Sequence, residues 1–237
     1  METAFATLAA VVASGFALDL WRSHLARPRP HAAAWAAGVT LYALASSALA
    51  FGLAFGWSDT SFRVFYVFGA VANIPVLALG SMYLVVGPKA GRRMLLVLIW
   101  FLGAAVWVVL AAVPVTPVAE VGVPEGSEVF DSPLTEISGG AMLPSPRIFA
   151  AVAGGVGTLL IVGLAIASTV RARAMRSVVV GNLLIVAGTV VPAVGGSLTA
   201  LGEGGGFAAS LLGGAVLLWA GFRVASTRRS SATMGAE

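Results

Sequence analysis

The stretch VFGAVANIPVLALGSMY (67–83) sets an asparagine two residues ahead of a proline, in the middle of a long apolar run. Both residues are costly there. An unpaired amide at the centre of a membrane span has no water to bond, and its desolvation costs several kcal/mol on hydrocarbon scales. Asn73 must therefore face protein or a wet cavity. Pro75 offers no backbone donor and crowds the carbonyl of Val71, so it predicts a kink. The helical face through Tyr66, Gly69, Ala70, Asn73, Leu77, Gly80 and Ser81 is small or polar almost throughout, which marks the buried side. Other runs place polar groups at similar depth: Ser46 and Ser47 with Tyr42 one turn away, Thr158, and Thr189 followed by Pro192, a second predicted kink. Tyr42, Ser46, Asn73 and Thr189 form the candidate midplane polar site. Two roles are open to it. These groups bond neighbouring helices, or they line a small central cavity that holds or passes a solute.

Most other chemistries lack their residues. Cysteine is absent, which excludes disulfides, thiolate metal sites and cysteine nucleophiles. The single lysine, Lys89, falls in the loop VVGPKAGRR, so no Schiff-base lysine is available inside a bundle. Buried haem needs axial ligands, usually histidine, and the two histidines, His24 and His31, lie in the polar stretch RSHLARPRPH. No HExxH, GxSxG or buried acid pair occurs, and LGEGGG (201–206) lacks the GK[ST] ending of a phosphate loop. The expectation is a protein that is not an enzyme and has no cofactor or resident metal. Near the surface, Asp19 and Arg22 are spaced for an ion pair. Arg63 is a candidate outer-mouth charge for an anion, or the partner of Asp59. Five acids, Glu120, Glu125, Glu128, Asp131 and Glu136, are either a solvated loop or a weak cation site.

Apolar runs must position these groups. Of 237 residues, 59% are hydrophobic and only 10% charged, a membrane composition. A span needs about 20 mostly apolar residues. Seven windows qualify: 3–21, 33–57, 62–86, 94–114, 147–170, 177–201 and 206–225. The expected fold is an all-α seven-transmembrane-helix bundle forming a single domain over 1–226, with a short tail over 227–237. The external loop 115–146, with five prolines and five acids, is long for a passive connector and suggests a cap or a docking surface. Trp21, Trp35 and Trp57 at span ends suit an interfacial belt.

Direction follows from charge. Twelve of the fourteen basic residues fall after the first, third, fifth and seventh spans; only Arg63 and Arg147 fall on the other side, with most of the acids. The positive-inside bias then puts the amino terminus outside and the carboxyl terminus in the cytoplasm, as expected of a multi-pass protein of the bacterial cytoplasmic membrane. The basic residues sit in short clusters between apolar runs, so the high pI signals topology and not nucleic acid.

The segments FRVFYVFGAVANIPVLALGSMYL, GNLLIVAGTVV and AGFRVAS resemble a group of seven-span integral membrane proteins of high-GC, actinobacteria-like bacteria. The resemblance implies the fold and implies no activity. No repeat relates 3–86 to 147–225. The sequence thus leaves two functions open beyond contact with the lipid bilayer. One is a binder or transporter of a small neutral solute. The other is a non-catalytic sensor or accessory subunit that holds another membrane protein through its bundle and acidic loop.

Overall fold

In the computed structural model, which describes residues 1–118, 122–171, 176–199 and 206–226, seven helices of 19 to 27 residues are each long and apolar enough to cross a bilayer. They are α1 (Glu2–Ala26), α2 (Pro30–Phe55), a third span built from α3 (Asp59–Phe65) and α4 (Asn73–Val85), then α5 (Pro88–Ala111), α7 (Pro146–Arg171), α8 (Arg176–Thr199) and α9 (Phe207–Ser226). The protein is a multi-pass membrane protein of all-α class. The one departure is small: the 115–146 connection holds a single-turn helix α6 (Gly126–Val129) and an antiparallel hairpin of β1 (Leu134–Glu136) with β2 (Met142–Pro144). Glu120, Arg173, Glu203 with most of its glycine-rich turn, and the tail 227–237 lie outside the described residues.

Helix ends are set by caps and prolines, and several spans outrun their apolar windows. Helix α1 continues two turns past Asp19 to Ala26. Helix α5 begins at Pro88, behind Gly87 at φ 114°, so Lys89, Arg92 and Arg93 belong to its first turns and not to a loop. Proline suits that first position because its missing N–H needs no partner there. Ser58 and Ser61 close a reciprocal cap at the start of α3, with Ser58 Oγ accepting from the Ser61 amide at 3.1 Å.

Six of the spans close a ring. Helix α1 packs on α2, α2 on α4, α4 on α7, α7 on α8, α8 on α9, and α9 back on α1. Helix α5 stands outside this ring against α4 and α7. Its outer face exposes Trp100 at 82%, Val97 and Trp107, surface that suits lipid chains.

The third span changes helical type where the sequence is costly. Between α3 and α4, residues Tyr66–Ala72 form a π-helix. Its wider turns end one residue before Asn73 and three before Pro75, so the missing proline donor falls where the ordinary ladder is already broken. The disturbance at Pro75 is thus a π segment. Pro192 lies inside α8, which runs through it unbroken, and its ring packs on Gly214 of α9.

Helices α8 and α9 meet backbone to backbone. A Cβ placed on Gly188 falls 2.9 Å from the Gly214 carbonyl, and one on Gly221 falls 2.8 Å from the Gly181 carbonyl. Such approach is the means by which helices associate in lipid, where apolar burial gives no advantage. We predict that Gly188→Val forces these helices apart and destabilises the folded protein by about 1–3 kcal/mol, the usual range for overpacking. Gly154→Ala, where a Cβ meets nothing within 4 Å, leaves the melting temperature in detergent unchanged.

Candidate functional site

Inside the ring lies a cavity of about 390 Å³, a size within the usual range for small-molecule sites. Four of the ring helices supply polar residues to it. Tyr42 and Ser46 come from α2, Asn73 from α4, Thr158 from α7, and Thr189 with Pro192 from α8; Phe207 and Leu211 of α9 complete the wall. The four residues of the midplane set therefore share one cavity. Ser47 does not join them and donates back to the Ala43 carbonyl at 2.8 Å.

Their hydrogen bonds divide them into two kinds. The Tyr42 hydroxyl donates to the Leu211 carbonyl at 2.6 Å, tying α2 to α9 across the cavity wall. The Thr189 hydroxyl donates to the Ile185 carbonyl at 2.8 Å within its own helix. Asn73 Nδ2 donates to the Gly38 carbonyl at 3.3 Å, and this bond orients the amide. Its Oδ1 then has no partner, and neither does Ser46 Oγ. Both residues are buried, at 3% and 1% exposure. A buried polar atom left unpaired costs about 1–3 kcal/mol. Both atoms belong to residues that line the cavity, one an acceptor and the other a donor and acceptor.

The remainder of the wall is apolar or glycine. Among the described residues, the only carboxylate or basic side chain that lines it is Glu125, at the mouth. That carboxylate is engaged locally: it caps α6 and accepts from Ser127 Oγ at 2.9 Å. The cavity suits a neutral guest.

The 115–146 connection forms the mouth. Val123, Pro124, Gly126 and Ser127 line the cavity, while Val129 and Phe130 are buried in the core beneath them. Phe130 packs against Phe62 and Tyr66 at centroid distances of 5.8 and 5.4 Å. Gly126 sits directly on the Tyr66 ring, leaving no room for a side chain. Trp57 Nε1 donates to the Gly122 carbonyl at 2.7 Å, and the Val113 and Val115 amides bond Glu136 and Val129. Trp57 is therefore buried under the loop and does not serve an interfacial belt. The acids are spread through this structure: Glu125 and Glu128 share the α6 cap, and Asp131 accepts from the Ser132 amide. Among the described residues no three carboxylates or imidazoles gather as metal ligands.

Of the two roles open to Arg63 the pairing with Asp59 holds, and the expected Asp19–Arg22 pair is corrected. Arg63 does not line the cavity mouth. Its Nε bonds Asp59 at 2.7 Å, and its other nitrogens donate to the carbonyls of Val109 and Ala112, at 2.9 Å for the latter. It neutralises the carbonyl end of α5, where a cation is favoured by the helix dipole. Asp19 pairs with Arg223 at 2.6 Å and accepts from Trp219 Nε1, both on α9, instead of with Arg22. A partner one helix away reaches it; one on its own helix is not required.

The loop residues at the mouth and the aromatic wall were not singled out by sequence. A signal existed in Val129 and Phe130, two bulky apolar residues inside an acidic loop. Compared with known proteins, the chain matches no family model, no curated protein and no solved structure.

Because Arg63 holds α5 and not a solute, its loss should read as stability. We predict that Arg63→Met lowers the melting temperature markedly, the bonds of one charged donor being worth about 1.5–3 kcal/mol each. Arg63→Lys recovers only part of it, since an ammonium cannot span two carbonyls and a carboxylate as a guanidinium does. Thermal unfolding followed by tryptophan fluorescence checks both.

Proposed function

We propose that this protein binds a small neutral solute with a mainly apolar body within the bilayer, holding it by hydrogen bonds to Asn73 and Ser46. The observation that carries the proposal is the pair of unpartnered atoms, Asn73 Oδ1 and Ser46 Oγ, on one 390 Å³ cavity. A neutral guest with a donor group fits the first, and a second polar group fits the hydroxyl. Among the described residues no carboxylate or cation lines the depth of the wall, which argues against a charged cargo. Burial of the loop's apolar residues against the bundle favours this reading over an accessory subunit that presents the loop to a partner. We place the protein in the bacterial plasma membrane, amino terminus outside, on the strength of its basic clusters. That direction puts the capped mouth on the outer side.

A panel of small neutral solutes, screened by thermal stabilisation of the purified protein, identifies the guest. We predict that Asn73→Leu abolishes the stabilisation by that solute and weakens binding about tenfold, the equivalent of one hydrogen bond of roughly 1.4 kcal/mol. The empty variant melts no lower than the wild-type protein, because an unpaired amide oxygen has been removed. Unchanged binding by a folded Asn73→Leu variant overturns the proposal.

A further inference from the structure

The central cavity is not alone. At the opposite end of the ring lies a second, larger one of about 640 Å³, lined by Arg27, Arg29, Ser81, Ser168 and Asn182 among others. A third void of about 40 Å³ lies between them. The small void shares Leu77, Thr189 and Leu218 with the first cavity, and Trp35, Ser81, Ile161 and Phe222 with the second. Three voids that share walls in this order run along the inside of a closed helix ring. The middle one has room for a water or two and for no larger guest.

What separates the cavities is a mainly apolar plug, with Ser81 and Thr189 its only polar lining side chains among the described residues. Leu77, Ile161 and Leu218 are buried there at 7%, 3% and 8% exposure. Trp35 meets Phe222 edge to face at 5.8 Å, and Phe16 meets Phe222 at 5.7 Å. These side chains come from α1, α2, α4, α7 and α9, so the plug draws on nearly every member of the ring. It is seated on glycines. A Cβ on Gly38 falls 2.7 Å from a Leu77 methyl, and the Trp35 ring fills the space beside Gly80.

We propose that the two cavities are the ends of one route across the membrane, closed in this conformation by Trp35, Leu77, Leu218 and Phe222. This rests on the solute-binding reading above and adds passage to binding. The arrangement is that of a hydrophobic gate, where an apolar constriction stops water and solute alike until its walls part. The polar site lies on the capped side of the gate, and the arginine-lined vestibule on the other. Leu77 rides on α4, directly after the π segment Tyr66–Ala72 and Pro75. A helix with a weakened hydrogen-bond ladder at that point can swing its lower half without breaking further bonds.

The chain contains no cysteine, so single cysteines report without background. Ala70→Cys places a thiol in the first cavity and Ser81→Cys one in the vestibule. The probe is a membrane-impermeant anionic methanethiosulfonate, which the arginine vestibule does not repel, added to either face of sealed vesicles of known orientation. With the plug intact, Ala70→Cys reacts only from the side of the 115–146 loop, and Ser81→Cys only from the opposite side. Adding Leu77→Ala with Phe222→Ala lets the reagent reach Ala70→Cys from the arginine side, at least tenfold faster than before. If the double variant does not fold, Phe222→Ala alone, at a half-buried position, gives the same readout with a smaller gain. A folded, plug-less protein whose Ala70→Cys stays unreactive from the arginine side overturns the route while the cavity stands. Ala70→Cys unreactive from both sides, with Ser81→Cys labelled as expected, overturns the cavity reading and the route with it.

Discussion

Hydrocarbon supplies no hydrogen bonds, and the interior of this protein is arranged under that constraint. Backbone groups satisfy it by forming helices. The side chains that cannot satisfy it within their own helix reach a neighbour, as Tyr42 reaches Leu211 and Asn182 reaches the Ala165 carbonyl and Thr169. Against that background two unsatisfied atoms on residues lining one void are conspicuous, because among the described residues no other side chain around that space is buried without a partner. The same constraint explains why the π segment sits beside Pro75. A ladder that must lose one bond loses it where protein, and not lipid, surrounds the gap.

The ring geometry follows from how helices attract one another in lipid. Small residues let backbones approach, and the glycines of α8 and α9 use this fully. Elsewhere glycine admits a large partner instead: Gly52 makes room for Trp57, Gly80 for Trp35, Gly91 for Tyr83. Tight contacts between neighbours hold the ring together without requiring residues across it to meet. A ring so built keeps an open axis, and only bulky side chains at one level fill it.

Much of this was legible in the amino-acid sequence, and the reasons for the rest are physical. Seven apolar runs announced seven helices because hydropathy is a property of each segment alone. Their ends were misjudged wherever caps decided them: Gly87 and Pro88 start α5 six residues before its apolar window, and α1 outlasts its window past Asp19. The midplane residues were legible because an amide at that depth needs a reason. Which atoms stay unpaired was not, since that depends on the Gly38 carbonyl standing opposite Asn73. Arg63 and Asp19 show the same limit. Local spacing suggested partners within one turn, and the fold supplied them, in whole or in part, from α5 and α9. The loop's length suggested a cap or a docking surface and its charges a solvated stretch; the buried Val129 and Phe130 decide which way it packs.

The 115–146 connection is fastened to the far end of α5 through the Ala111 carbonyl and the Val113 amide, and α5 is the one span outside the ring. A helix bathed in lipid adjusts its tilt to the thickness of the bilayer around it. Its tilt is therefore handed to the roof of the cavity. A bilayer that tilts α5 therefore also shifts Val123 to Ser127, the loop residues that roof the void.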